Sequence, residues 1–109
     1  MDLKNEDCEA CGAGATPVSE RQVEEWLPQL PAWEIIVDQG VKKLRREFPF
    51  PDFVAALAFT NQVGELAEHF NHHPALLTEW GKVTVSWWTH SLGGLHRNDF
   101  ILAAKTDSI

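Results

Sequence analysis

The run EHFNHHPALLTEW, residues 68–80, holds three of the five histidines of this 109-residue chain: His69, His72 and His73. Near neutral pH an imidazole can give or take a proton and can also bind a metal, so the cluster fits acid/base chemistry, a metal site or an ordinary polar surface. A metal site lacks its usual support, because adjacent histidines such as His72 and His73 point in different directions and no HExxH pattern is present. Nucleophilic catalysis is weaker still: no serine lies in a G-x-S-x-G elbow, and the two cysteines, Cys8 and Cys11, sit in a Gly/Ala-rich stretch with no second pair to complete a zinc set. Neither GELAEH nor SLGGL has the spacing of a phosphate-binding loop. Metal-free acid/base work remains, set against histidines that are only surface or structural. Imidazoles with an unperturbed pKa of roughly 6.5 suit a reaction that both delivers and removes protons.

The elements that would position these residues can be read from local signals. Ser19 with Gln22 makes a capping box ahead of Val23, Trp26, Leu27 and Leu30 at helical spacing, which predicts a short first helix. Trp33 to Val37, the turn Asp38-Gln39-Gly40 and Val41 to Phe48 predict a hairpin. Asp52 is placed to cap a long second helix with Phe59, Val63, Leu66 and Phe70 on one stripe, which Pro74 is expected to end. Leu76 to Trp80, Gly81, and Lys82 to Thr89 predict a second strand pair, with Val83, Val85 and Trp87 on one face and Thr84, Ser86 and Trp88 on the other. His90 projects from the end of that strand, where it can converge with His72 and His73. HRNDFILAAK predicts a last helix with Asp99 in its first turn, where an acid suits the helix dipole. The order α-β-β-α-β-β-α predicts a two-layer α+β domain: a four-stranded antiparallel sheet with helices on one face and a partly apolar opposite face that invites self-association.

Residues 1–16, rich in Gly, Ala and acid, are expected to be a flexible arm ahead of a single domain over residues 17–109. The CEAC pair within the arm is expected to stay reduced and to be dispensable. A formal charge of -7 argues against direct nucleic-acid binding, and Lys42, Lys43, Arg45 and Arg46 are read as solvated strand positions. No apolar run is long enough to span a bilayer and no secretory leader is visible, so a cytoplasmic protein is expected.

One longer pattern joins these residues. Glu68, a gap of three, His72-His73-Pro74, a gap of five, Trp80, a gap of nine, His90, a gap of eight and Asp99 together resemble the signature of the pterin-4a-carbinolamine dehydratases. The likeness runs from about Pro17 to Asp107, and LLTEWGKVTVSWWTHSLGGLHRNDF is similar to the bacterial branch associated with phenylalanine hydroxylase. The resemblance implies a lyase that needs neither metal nor cofactor. It would eliminate water from 4a-hydroxytetrahydrobiopterin to give quinonoid dihydropterin, in tetrahydrobiopterin recycling. It implies that His72, His73 and His90 are the catalytic histidines, with His72 and His90 the acid/base pair and His73 mainly anchoring the pterin. Asn71, Trp88, Thr89 and Ser91 would complete the binding wall, and Glu68, Pro74, Trp80 and Asp99 would support it. Asn71 stands where some relatives carry an acid, which leaves carboxylate support for His72 open. The resemblance further implies a homodimer or homotetramer and admits phenylalanine hydroxylase as a partner. The competing reading is a non-enzymatic oligomeric module that binds or regulates a protein such as a hydroxylase or a transcription factor.

Overall fold

The computed structural model describes residues 2–9 and 15–109. Its main elements are α1 (Glu20–Trp26), β1 (Glu34–Asp38), β2 (Val41–Pro49), α2 (Phe53–Phe70), β3 (Ala75–Glu79), β4 (Lys82–Trp87) and α3 (Arg97–Asp107), with short 3-10 turns at Leu3–Asn5 and Leu27–Gln29. This is the expected α+β order. The sheet is wholly antiparallel with strand order β1-β2-β4-β3, so β2 and β4 are the central strands. Among the described residues no helix is long and apolar enough to cross a membrane.

Local chemistry sets the element boundaries. Ser19 and Gln22 form the expected capping box, and the Asp52 carboxylate accepts from the Ala55 N–H. Gln39 and Gly40 both have positive φ, 51° and 79°, the conformation that a two-residue turn needs to match strand twist in the β1–β2 hairpin. The turn between β3 and β4 uses Gly81 at φ 80°, a conformation that favours glycine, and a Cβ there would crowd the Phe50 carbonyl oxygen at 3.3 Å.

Alternation along the central strands decides which face is covered. Leu44 and Phe48 of β2 and Val83, Val85 and Trp87 of β4 are buried against Phe59, Val63, Phe100 and their neighbours on the helices. The indole N–H of Trp87 donates to Thr106 and that of Trp33 to Asp107, so both large rings are buried without an orphaned donor. The other face carries Lys43, Arg45, Thr84 and Ser86 together with Leu77, which is 58% exposed. The basic strand positions there are neutralised locally. Lys43 pairs with Asp38 and Arg45 with Glu34, while Arg46, on the helix side of β2 with Leu44 and Phe48, pairs with Asp107 of α3.

Two expectations are corrected. The second helix does not run to Pro74: it stops at Phe70 because Asn71 adopts the left-handed conformation (φ 50°, ψ 44°). The Asn71 N–H then donates to the Glu68 carbonyl and the His72 N–H to the Ala67 carbonyl, the paired bonds of a Schellman terminus.

The second correction concerns residues 2–9, expected within a flexible arm. They lie along α3: Leu3 is fully buried, the Glu9 N–H donates to the Asn98 side-chain oxygen, the Asn98 amide donates to the Glu9 carbonyl, and Arg97 and Lys105 donate to the carbonyls of Asp7 and Lys4. The cause lies in α3. Phe100, Ile101, Leu102, Ala103 and Ala104 are consecutive and all buried, and a helix that is apolar all round cannot be covered by one sheet face. The amino-terminal segment supplies the second cover. Cys8 is part-buried against the core, while Cys11, the other half of the CEAC pair, lies outside the described residues.

Candidate active site

The helix end after Phe70 and the strand end after Trp87 meet at one cavity of about 280 Å³, lined by Asn71, His72, His73, Thr89, His90 and Ser91. All three histidines expected to converge do so. The turn that carries His90 is held by its own hydrogen bonds: Thr89 pairs with Gly94, and the N–H groups of Leu92 and Gly93 donate to the Thr89 carbonyl. A larger cavity of about 730 Å³ lies between α1, the β1–β2 hairpin and Leu92–Leu95, but its lining has no imidazole.

Each histidine has one ring nitrogen committed to an oxygen. His72 is 7% exposed, and its Nε2 lies 2.7 Å from Asp99 Oδ1. Nε2 of His73 meets a Glu68 carboxylate oxygen, and Nε2 of His90 meets the His73 carbonyl at 3.2 Å. A carbonyl or carboxylate oxygen only accepts, so each pairing puts a proton on Nε2, and in the neutral ring Nδ1 then keeps its lone pair. The rings are also backed by indoles. His72 stacks on Trp87 at 6.0 Å and 14°, and His90 stacks on Trp88 at 4.4 Å and 26°. The Lys43 ammonium sits 3.9 Å from the centre of the Trp88 ring, on the side of the sheet away from the helices.

Asp99 is the node behind His72. It is fully buried; Oδ1 meets His72, while Oδ2 accepts from the Thr89 hydroxyl at 2.8 Å and from the His96 N–H at 2.9 Å. The carboxylate therefore both closes the capping box of α3 and fixes an imidazole of the cavity. Of the other residues named from the sequence, Pro74 follows His73 directly before β3, and Trp88 borders the site through His90. Trp80 is not brought there: it sits 75% exposed in the β3–β4 turn, at the opposite end of β4. His69 is exposed on α2, edge-on to Phe70. Sequence reasoning missed Trp87 as a support and His96, a buried residue whose position three before Asp99 was the available signal. Among the described residues, no three His, Cys, Asp or Glu side chains are grouped as metal ligands.

Residues 16–109 match the family model described as Pterin 4 alpha carbinolamine dehydratase. The chain belongs to that family and is a hydro-lyase. It is 54% identical to a Chlorobium limicola protein over 108 residues, 99% of this chain and 96% of the relative. It is 55% identical to one from Nitrosococcus oceani with the same coverage. Both are named "Putative pterin-4-alpha-carbinolamine dehydratase". Among solved structures, a Brucella melitensis protein titled transcriptional coactivator/pterin dehydratase aligns with TM-score 0.75 and 30% identity, covering 85% of this chain and 97% of that one. A pterin dehydratase-like protein identified as a RuBisCO assembly factor in the alpha-carboxysome aligns with TM-score 0.58 and 19% identity over 71% and 87% of the two chains, a likeness of fold.

Proposed function

We propose that the chain dehydrates 4a-hydroxytetrahydrobiopterin to quinonoid dihydropterin, by histidine acid/base catalysis, in the recycling of tetrahydrobiopterin. The observation that carries this reading is the convergence of His72, His73 and His90 on one cavity, each with its Nε2 tied to an oxygen, so that Nδ1 is the nitrogen open to proton exchange. The reaction breaks the N5–H and C4a–O bonds and forms a C4a=N5 double bond. One group must take the N5 proton while another delivers a proton to the departing hydroxyl, which leaves as water.

His72 suits the first task. Its Nδ1 can accept the proton while Asp99 holds Nε2–H, and a buried carboxylate stabilises the imidazolium that results. His90, when protonated at Nδ1, suits the second. His73, held by Glu68 at the exposed rim, suits anchoring of the pterin, and Asn71, Thr89 and Ser91 complete the wall. None of these steps calls on a metal or a redox group. The partly apolar outer sheet face fits self-association into a dimer or tetramer, and a hydroxylase that generates the substrate is the natural protein partner.

The test is stopped-flow dehydration of 4a-hydroxytetrahydropterin by the wild type, with and without chelator, and by His72→Ala and His90→Ala. We expect chelator-insensitive turnover in the wild type and losses of about 10²-fold or more in each variant, the scale of a positioned acid or base. Unchanged rates in both variants would sink the assignment. The alternative of a non-enzymatic regulatory module predicts that a folded His72/His73/His90 triple alanine keeps its biological effect, and loss of that effect counts against it.

A further inference from the structure

His96 lies outside the cavity, yet it is 2% exposed and both of its ring nitrogens are engaged. Its Nδ1 is 3.0 Å from the Asn98 N–H, and a backbone N–H can only donate, so Nδ1 must carry a lone pair. The neutral ring therefore bears its proton on Nε2, which faces a Glu9 carboxylate oxygen at 3.2 Å. His96 thus caps α3 through a side-chain nitrogen where Ser, Thr, Asp or Asn is usual, and Glu9 selects the tautomer that can cap. Glu9 is itself held in place by the two bonds between its backbone and the Asn98 side chain. The His96 backbone N–H meanwhile donates to Asp99 Oδ2, and Asp99 Oδ1 holds His72.

From this chain of contacts we infer that His96, set by Glu9 of the amino-terminal segment, is a positioning residue for the dehydration. It fixes the first turn of α3 and with it the carboxylate that orients His72. Residues 2–9 then belong to the catalytic apparatus through contacts remote from the cavity. The inference rests on the dehydratase reading and on the acid/base role of His72. Its physical core is that one turn of helix carries both a cap and a carboxylate: loosening the cap lets Asp99 move, and a displaced Asp99 no longer holds His72 in one tautomer and one orientation.

The experiment uses the full chain and compares His96→Ala, His96→Asn and Glu9→Ala by stopped-flow kcat and KM. Side-chain 15N NMR of His72 and His96 is recorded on each folded variant. His96→Ala is expected to lower kcat about fivefold with KM little changed, the factor that matches loss of a typical side-chain cap. The His72 Nε2–H signal should shift or broaden with it. His96→Asn keeps a cap acceptor and is expected to recover most of kcat. Glu9→Ala leaves the ring in place but should mix the His96 tautomers and lower kcat in the same direction.

Wild-type kcat and an unmoved His72 signal in a folded His96→Ala overturn the inference. Should that variant not fold, an unmixed His96 tautomer and wild-type kcat in Glu9→Ala overturn it instead. His72→Ala in the same assay separates the two layers: full turnover there removes the catalytic reading, whereas the His72 signal in the His96 and Glu9 variants still decides whether the segment and the cavity are coupled.

Discussion

Asp99→Asn tests the proposed chemistry with almost no change of shape. Three donors meet the carboxylate, His72 Nε2–H at 2.7 Å on Oδ1 and the Thr89 hydroxyl and His96 N–H at 2.8 and 2.9 Å on Oδ2. The backbone N–H of His96 cannot become an acceptor, so an asparagine must keep its oxygen in the Oδ2 position and turn its NH₂ towards His72. Nε2 of His72 must then accept, its proton moves to Nδ1, and a neutral His72 can no longer take a proton from the cavity side. General acid/base assistance contributes about 10²–10⁴-fold, so kcat is expected to fall by that factor, about 3–5 kcal/mol of barrier. KM should change little, and because the amide keeps the capping bond and the volume of the side chain, the melting temperature should stay close to that of the wild type. Stopped-flow turnover reads the first quantity and 15N NMR of the imidazole reads the tautomer. Wild-type kcat with an inverted His72 tautomer would refute the catalytic role given to Nδ1, and a retained Nε2–H would refute the geometric step.

Three further outcomes follow from the geometry. Asn71→Gly should leave stability unchanged or slightly raised, whereas Asn71→Ala should cost about 1 kcal/mol in denaturant unfolding, because only the first tolerates φ 50° freely. Leu3→Ala should lower stability by about 2–5 kcal/mol, the range for a buried leucine, and a change under about 0.5 kcal/mol would mean that residues 2–9 do not cover α3 in solution. Trp80→Ala should leave kcat and KM within error of the wild type, since the ring is 75% exposed in the turn at the far end of β4; a clear loss of kcat would return Trp80 to the site.

Much of the fold was legible because its signals are local. The Ser19 and Asp52 caps, the Gln39-Gly40 turn and the alternation Val83, Val85, Trp87 each depend on a few neighbouring residues, and each appears as expected. The placement of β4 between β2 and β3 was not legible, since it depends on how α2 crosses the sheet. Helix α2 ends three residues before its expected stop because Pro74 is a conspicuous breaker, whereas a left-handed asparagine leaves little trace in a sequence. The run Phe100–Ala104 did carry notice that α3 needs cover on every side, but the Gly/Ala-rich, acidic composition of residues 1–16 outweighed Leu3. At the site, His72, His73 and His90, singled out by their gaps, line one cavity. Asp99 had two competing readings, a helix-start acid and an orienting group, and its contacts satisfy both at once.

The indoles behind the two histidines have a consequence for register. Trp87 and Trp88 are adjacent, so strand geometry sends them to opposite faces of the sheet, yet each backs one imidazole of the same cavity. A slip of β4 by a single residue would exchange the two rings, drive Trp88 into the core and strip both histidines of their supports together. What guards against that slip is the left-handed glycine at Gly81, beside the exposed Trp80. The accuracy of the site is therefore set by a turn at the other end of the strand, where no catalytic group lies.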